Sequence, residues 1–263
     1  MMDITNGFTI DRKTNATTTV MCALTEYERT ILFTKENDGT IAFQTTSDIG
    51  RTFSEKTSCI IPVHESIVSF SVLKNDSGVY HMLAVLNNGT VVTGSSTDKI
   101  TWTSNPVPNL SNLTKVAVLY TKDKKYLRAF TTVDNKVMVG TPASDLYSGE
   151  ISTIADRGTI TLSSKISDIT LVDDGTAVSL IFGSDRDNMR ELYRMLSYDN
   201  GNSWTSPVLF KYFSQFGTYR YPGEPGAGGG IYNIAACCNG TNQPIDMYFN
   251  NIVVPNTLWS MRY

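Results

Sequence analysis

Two groups of polar and aromatic side chains have the types and spacing that a sugar-binding site requires. The first lies in a short, charged segment and comprises Asp185, Arg186, Asp187 and Arg190. The second lies between Lys211 and Tyr232 and comprises Tyr219, Arg220, Tyr221 and Glu224. Aromatic rings stack on the apolar faces of sugars, while guanidinium and carboxylate groups hydrogen-bond hydroxyls or a carboxylate. Both groups are therefore predicted to bind a ligand.

The second segment also has a structural interpretation. A long loop can pack its own aromatic rings over the core of the fold, and the glycines at 226 and 228–230 would then serve sharp turns. These glycines do not form a phosphate-binding loop, because they lack the Gly-Lys-Ser/Thr ending and lead into a predicted strand. Ligand binding and self-packing both remain open for this segment.

The elements that must position these side chains are short β-strands in five repeats. Each repeat has a candidate inner strand, an apolar second strand, a polar turn and an alternating third strand. The second strands begin at Thr30, His81, Tyr126, Val178 and Ile245. Turns such as Asn37–Thr40 and Asn87–Thr90 contain residues that tolerate the left-handed backbone of tight hairpins. No stretch keeps helical periodicity for three turns, so the chain is predicted to be all β.

Two of these repeats, the first and the fourth, each contain a copy of a turn motif. One copy contains Ser197, Asp199, Gly201, Ser203 and Trp204, and the other contains Thr46, Asp48, Gly50, Thr52 and Phe53. At this spacing, the Asp carboxylate can accept hydrogen bonds from its own turn, and Gly permits the positive φ that such a turn needs. The aromatic residue can bury its ring against a neighbouring sheet. The motif is therefore predicted to stabilise a turn.

This motif resembles the Asp-box, or BNR repeat, of sialidase-like β-propellers. The resemblance implies that each box joins the third and fourth strands of a blade, on the face away from the ligand site. Together with the repeats, it implies an all-β, five-bladed β-propeller of four-stranded antiparallel blades. The last repeat stops at its third strand, Leu258–Tyr263, so the N-terminal strand Gly7–Asp11 is predicted to close the final blade.

The same resemblance suggests a function. If this chain were a sialidase, the resemblance would imply an arginine that binds the ligand carboxylate, which could be Arg190 or Arg194. It would also imply a tyrosine nucleophile with a glutamate partner, here Tyr221 and Glu224. The early Arg-Ile-Pro motif of that family is absent around Phe8–Arg12. A non-catalytic, lectin-like, carbohydrate-binding propeller is therefore the leading hypothesis, with a sialidase-like glycoside hydrolase and a protein-interaction propeller as alternatives.

Composition narrows the remaining possibilities. The chain has 263 residues and a net charge of −3, so we expect one domain spanning residues 1–263 and no nucleic-acid partner. No apolar stretch approaches a membrane span, and the polar N-terminus lacks a signal core, so cytoplasmic location or release by another route is expected. The two histidines predict no metal site, and no cofactor is expected. The partner is predicted to be a glycan or glycoconjugate.

The four cysteines are predicted to be reduced, buried thiols. Cys237 and Cys238 are neighbours on a predicted strand and would point to opposite faces of the sheet. Free cysteine is among the most buried residue types, which also accounts for Cys22 and Cys59.

Overall fold

The computed structural model describes residues 10–13, 19–48, 52–155, 165–186, 189–212, 231–238, 241, 243–251 and 257–262. Within these ranges all regular secondary structure is β-strand, as the sequence predicted. The strands form four-stranded antiparallel sheets, and the prediction of an antiparallel β-propeller is confirmed. The part of the chain that the structure describes contains no helix long and apolar enough to cross a membrane.

Five sheets follow one another along the described chain. The first contains β2 (Thr19–Glu26), β3 (Arg29–Lys35), β4 (Ile41–Thr46) and β5 (Thr57–Ser58). The second contains β6 (Ile67–Lys74), β7 (Tyr80–Leu86), β8 (Val91–Ser96) and β9 (Asn105–Pro106). The third contains β10 (Leu113–Tyr120), β11 (Tyr126–Thr132), β12 (Val137–Gly140) and β13 (Ile151–Ala155).

The last two sheets complete the ring. The fourth contains β14 (Lys165–Asp173), β15 (Val178–Arg186), β16 (Met189–Ser197) and β17 (Val208–Tyr212). The fifth contains β18 (Ile231–Cys238), β19 (Ile245–Asn251), β20 (Thr257–Arg262) and the N-terminal β1 (Ile10–Lys13). Strand β1 pairs with β20 in the register Ile10↔Ser260. The start of the chain therefore supplies the outer strand of the sheet that ends it.

The first strand of each sheet is the innermost strand. Strands β2, β6, β10, β14 and β18 contact one another in this order, and β18 contacts β2 to close the cycle. The core fills the spaces between adjacent sheets. Between the first two sheets, for example, Phe33 packs against Phe70 with ring centroids 5.6 Å apart, and Phe70 meets Trp102 edge-on at 6.0 Å. Such apolar layers hold the inner strands in a fixed ring.

The predicted turn chemistry of the two motifs is confirmed. Asp199 Oδ1 accepts the Ser203 backbone N–H at 2.8 Å, and Asp199 Oδ2 accepts the Ser203 hydroxyl at 2.6 Å. Asp48 accepts the same pair of bonds from Thr52, at 2.8 and 2.7 Å. Gly201 has a φ of 99°, which an L side chain rarely adopts. Both turns join the third and fourth strands of their sheets.

None of the four cysteines forms a disulfide. Cys22, Cys59 and Cys237 are buried, and Cys238 is partly exposed. Burial raises the pKa of the Cys59 thiol to about 12 and that of Cys237 to about 11. Burial also holds the pKa of Cys22 far above its usual range. These thiols are therefore protonated and fill core space.

Candidate functional site

We call the face at which the inner strands begin the mouth face. Because successive strands are antiparallel, the turns between second and third strands open on the mouth face, and the two motif turns lie at the other end. A cavity of about 820 Å³ opens on the mouth face. Its walls come from three neighbouring sheets and include Val68, Asn88, Thr114, Lys115 and Ser167. This volume is in the range of small-molecule sites.

A repeated irregularity of the inner strands shapes this cavity. Strands β6, β10, β14 and β18 each carry a β-bulge at the same distance from the mouth face. The residues that resume regular pairing after the bulges are Ser69, Lys115, Asp168 and Asn233. A bulge bends its strand and re-aims the adjacent side chains. Strand β2 carries the same bulge, with Cys22 at the equivalent position. Four of the five equivalent residues are therefore polar.

Three of these residues form a connected cluster. Lys115 Nζ lies 3.1 Å from Asn233 Oδ1, to which it donates a hydrogen bond, and 3.7 Å from Asp168 Oδ1. Asp168 and Asn233 are 5% and 6% exposed, whereas Lys115 reaches the cavity wall. The cluster therefore connects the cavity to a buried carboxylate that lies beneath it.

Backbone groups fix the Asp168 carboxylate. Its Oδ2 accepts the Ile234 N–H of the next inner strand at 2.8 Å, and its Oδ1 accepts the Ile169 N–H at 2.9 Å. Burial raises the pKa of Asp168, although the Lys115 ammonium and the two backbone N–H groups oppose this effect. Burial thus favours the protonated form of this carboxyl group, which is the form that a general acid needs.

A second feature of the cavity wall is a buried hydroxyl group. The hydroxyl oxygen of Ser167 is buried without a hydrogen-bond partner in the described part of the chain. Ser167 lines the cavity as the extra residue of the β14 bulge. A buried polar group without a partner costs free energy. The Ser167 hydroxyl lies over Gly183 of β15, where a Cβ would come within 2.8 Å of it, so it belongs to the packed wall of the cavity.

The predicted charged loop has a different backbone from the one expected. The sequence favoured a long loop at residues 183–190, but strands β15 and β16 pair as far as Arg186↔Met189. Asp185 pairs with Arg190 in the same ladder. Residues 183–186 and 189–190 of the expected loop are therefore in strands, because β15 and β16 are each nine residues long. The side chains of Asp185, Arg186 and Arg190 lie outside the described part of the structure, as does Asp187.

The predicted aromatic segment cannot be compared with the structure. Tyr219, Arg220, Tyr221 and Glu224 all lie outside the described residues. Residues 213–230 connect the end of β17 to the start of β18, and both of these strand ends are on the mouth face. The prediction that these four residues bind a ligand, or that Tyr221 and Glu224 act in catalysis, therefore stays a prediction.

Arg194 does not belong to a carboxylate clamp on the mouth face. Its guanidinium donates to Ser179 Oγ at 2.7 and 3.0 Å and lies 3.8 Å from Asp174 Oδ2. Asp174 belongs to the turn between β14 and β15, which is at the opposite end of the sheet. Arg194 thus stabilises its own sheet, and the suggestion that it could bind a ligand carboxylate is wrong.

The cluster of Lys115, Asp168 and Asn233 was missed in the sequence, although a signal was present. Strands β6, β10, β14 and β18 share a run of an apolar residue, a variable residue, a polar residue and another apolar residue, whereas β2 has Cys22 at the polar position. The four polar members are Ser69, Lys115, Asp168 and Asn233. Aligning the repeats on their inner strands would have revealed this polar position in four of the five repeats, but the long polar loops were favoured instead. No group of three or more His, Cys, Asp or Glu side chains that could hold a metal occurs among the described residues.

No model of a known protein family matches this sequence, and no curated protein matches it. Solved structures do match its fold. The GH43_1 enzyme from Xanthomonas citri complexed with xylotriose has a TM-score of 0.65 and 8% identity, with 96% of this chain and 89% of that chain covered. The GH32 β-fructofuranosidase of Bombyx mori has a TM-score of 0.61 and 10% identity, covering 88% and 54%. The xylan β-1,4-xylosidase of Bacillus halodurans has a TM-score of 0.62 and 9% identity, covering 91% and 50%.

This protein shares the propeller fold of glycoside hydrolases. At such low identity the likeness shows the fold alone, and function has to be argued from the site. The resemblance to Asp-box sialidases is not confirmed, since the similar structures named above are of the GH43 and GH32 types. The two motif turns have the predicted hydrogen bonds, but those bonds describe a turn and not a family.

Proposed function

We propose that this protein is a glycoside hydrolase that binds a carbohydrate in the mouth-face cavity. The observation that carries the proposal is the buried Asp168 carboxyl, with its raised pKa, beneath a cavity of about 820 Å³ that Lys115 connects to it. Amide and hydroxyl groups of Asn87, Asn88 and Thr114 also line the cavity. Such groups suit the hydroxyls of a sugar.

Hydrolysis of a glycosidic bond needs two carboxyl groups. One gives a proton to the leaving oxygen while the bond from that oxygen to the anomeric carbon breaks, and the other activates water or attacks the anomeric carbon. Asp168 is our candidate for the acid, because burial favours its protonated form. Our candidate for the second group is Glu224, in the segment that connects β17 to β18.

The similar structures support hydrolysis over binding alone. Those named above are enzymes of the GH43 and GH32 types and a xylosidase, and one of them was solved with xylotriose. Xylosides and fructosides are therefore the first substrates to test. Sialosides belong in the same panel because of the turn motif.

A lectin-like protein without turnover is the second candidate. No carboxylate occurs among the described residues that line the cavity, and Asp168 already accepts two backbone hydrogen bonds and faces an ammonium. In this second candidate function, the Asp168 carboxylate would position Lys115 and Asn233. In that case the protein would bind a glycan at the mouth face and leave it intact.

One preparation can separate these functions. Turnover of fluorogenic glycosides and binding to a glycan array would be measured for the wild type, Asp168→Asn and Glu224→Gln. A hydrolase predicts turnover that falls at least a hundredfold in Asp168→Asn, with array binding retained, since general acid catalysis contributes about 10² to 10⁴. The exposed Asp76 provides a matched control, because Asp76→Asn should leave turnover unchanged.

Each other outcome has a clear meaning. Saturable array binding without any turnover would reject the hydrolase and establish the lectin. Turnover that survives Asp168→Asn would place the chemistry elsewhere. The absence of both turnover and binding would reject carbohydrate chemistry and favour a protein-interaction propeller.

A further inference from the structure

Two tryptophans occupy equivalent turns but have different surroundings. Trp102 follows β8 in the second sheet and is 3% exposed. Its Nε1 donates a hydrogen bond of 2.8 Å to the Lys99 carbonyl, and its ring meets Phe70 edge-on. Trp204 follows β16 in the fourth sheet and is only partly buried. Its Nε1 is buried but has no hydrogen-bond partner among the described residues.

A cavity of about 440 Å³ lies beside Trp204. One wall is the outer part of the third sheet, with Val139 and Gly140 of β12 and Ser152 and Ile154 of β13. The other wall is the turn after β16, from Gly201 to Pro207. Because this turn is at the far end of the sheet from the mouth face, the cavity is separate from the proposed active site. We call it the inter-blade cavity.

The lining of the inter-blade cavity indicates the chemistry of its ligand. It combines an indole ring and small apolar side chains with uncharged polar groups from Thr141, Ser152, Asn202 and Ser203. No charged side chain lines it among the described residues. An aromatic ring with hydroxyl and amide groups matches a pyranose, which has an apolar face and a rim of hydroxyls. The absence of charge on this lining favours a neutral sugar.

We propose that the inter-blade cavity is a second carbohydrate site, which binds a neutral sugar unit of an oligosaccharide against Trp204. The Trp204 ring packs against the core between the third and fourth sheets, and its buried Nε1 has no partner among the described residues. A sugar hydroxyl would accept from this donor once a small rotation of the indole turns Nε1 toward the cavity. In the second sheet, Lys99 supplies that acceptor and the ring is sealed in the core. Sugar binding at the inter-blade cavity does not depend on a reaction at the mouth face. This proposal therefore holds whether or not the protein hydrolyses glycosides.

Ser152 and Thr153 provide a matched pair of variants. Both are exposed neighbours on β13, but Ser152 lines the cavity and Thr153 does not. Side chains of successive strand residues point to opposite faces, so Ser152→Trp should fill the cavity while Thr153→Trp adds an indole on the other face. Ser206→Arg obstructs the cavity from the opposite wall, in case Ser152→Trp fails to fold.

The test is calorimetric titration with xylotriose, maltotriose and cellotriose, with thermal unfolding of each variant measured in parallel. We expect at least one trisaccharide to bind, Ser152→Trp and Ser206→Arg to weaken binding at least tenfold, and Thr153→Trp to stay within twofold of the wild type. Val68→Trp obstructs the mouth-face cavity instead and should leave binding at the inter-blade cavity unchanged. Binding should also change tryptophan fluorescence in the wild type but not in Trp204→Phe.

Three results would overturn the proposal. The first is the absence of saturable binding by any of the three sugars. The second is binding that Ser152→Trp and Thr153→Trp weaken equally. The third is binding that Val68→Trp abolishes and Ser152→Trp leaves unchanged, which would assign the sugar to the mouth-face cavity and leave the proposed function intact.

Discussion

Lys115 Nζ lies 3.7 Å from Asp168 Oδ1, and this ion pair links the inner strands of the third and fourth sheets. The side chains of the two partners are 19% and 7% exposed, so the pair is only weakly screened by solvent. Asp168 in turn accepts the Ile234 N–H of the fifth sheet. The pair therefore ties three consecutive sheets together where the inner strands begin.

Replacing Lys115 by Met should destabilise the protein in a pH-dependent way. The change leaves the buried Asp168 carboxylate without a counter-charge, and breaking a buried pair costs roughly 3 kcal/mol. The pKa of Asp168 is already raised by burial, so the folded state holds the proton more tightly than the unfolded state. The loss of stability in Lys115→Met is therefore absent at pH values below the pKa of Asp168 in the unfolded chain. It grows as pH rises through the pKa of Asp168 in the folded protein.

Urea unfolding at about pH 7 and about pH 4 would measure this effect. The free energy of unfolding lost in Lys115→Met should be larger at the higher pH. Lys122→Met, at an exposed position of the turn after β10, is the control and should change little at either pH. Equal losses at both values would show that Lys115 contributes packing and not charge.

Glu26 should stabilise the first two sheets through a different cluster. It accepts hydrogen bonds from Lys74, Tyr80 and Lys99. Burial acts to raise the pKa of Glu26, but these three bonds outweigh it and lower the value to about 2. The folded value is below the unfolded value, so this stability is present above about pH 4.5 and is lost as pH falls toward 2.

Glu26→Gln should therefore lower the free energy of unfolding by about 2 kcal/mol at neutral pH, and by much less below about pH 3. Chemical unfolding across this pH range is the measurement. Glu28→Gln, two residues away and exposed, is the matched control. A constant difference between Glu26→Gln and the wild type at all pH values would contradict the assigned cause.

The strands could be predicted because their signals are local. Turns such as Asn87–Thr90 and the alternation of Thr90–Thr93 depend on neighbouring residues, so hairpins emerge from the sequence. The closing of the fifth sheet by β1 followed from counting strands in the last repeat. The Lys115–Asp168 contact could not be predicted in the same way, because it joins residues of two repeats through bulges that have no local sequence signal.

The site predictions had a different weakness. Charged and aromatic loop residues were favoured because loops carry function, yet Arg186 pairs in a hairpin and Arg194 binds Ser179 in its own sheet. Lys115 was overlooked because a lysine in an apolar strand resembles a residue at a strand end. Its role depends on the bulge that aims it toward the ring of inner strands.

The two motif turns should contribute equally and independently to stability. Asp48 and Asp199 each accept a backbone N–H and a hydroxyl from the residue four positions later. Removing such a hydrogen-bond acceptor costs about 1 kcal/mol at an exposed turn. Asp48→Ala and Asp199→Ala should each lower the free energy of unfolding by this amount, and the double variant by their sum, because the turns are in the first and fourth sheets. A double variant that differs from the sum would show that the sheets communicate.

The four thiols should react at very different rates in the native protein. The thiolate is the reactive form, and burial raises the pKa of Cys59 to about 12 and of Cys237 to about 11, while Cys22 lies higher still. Cys238 is partly exposed. Labelling with a disulfide reagent at about pH 8 should therefore modify one thiol quickly in native protein and all four after unfolding. Cys238→Ser should abolish the fast phase, and a fast phase that survives this change would mean that the inner strands open readily.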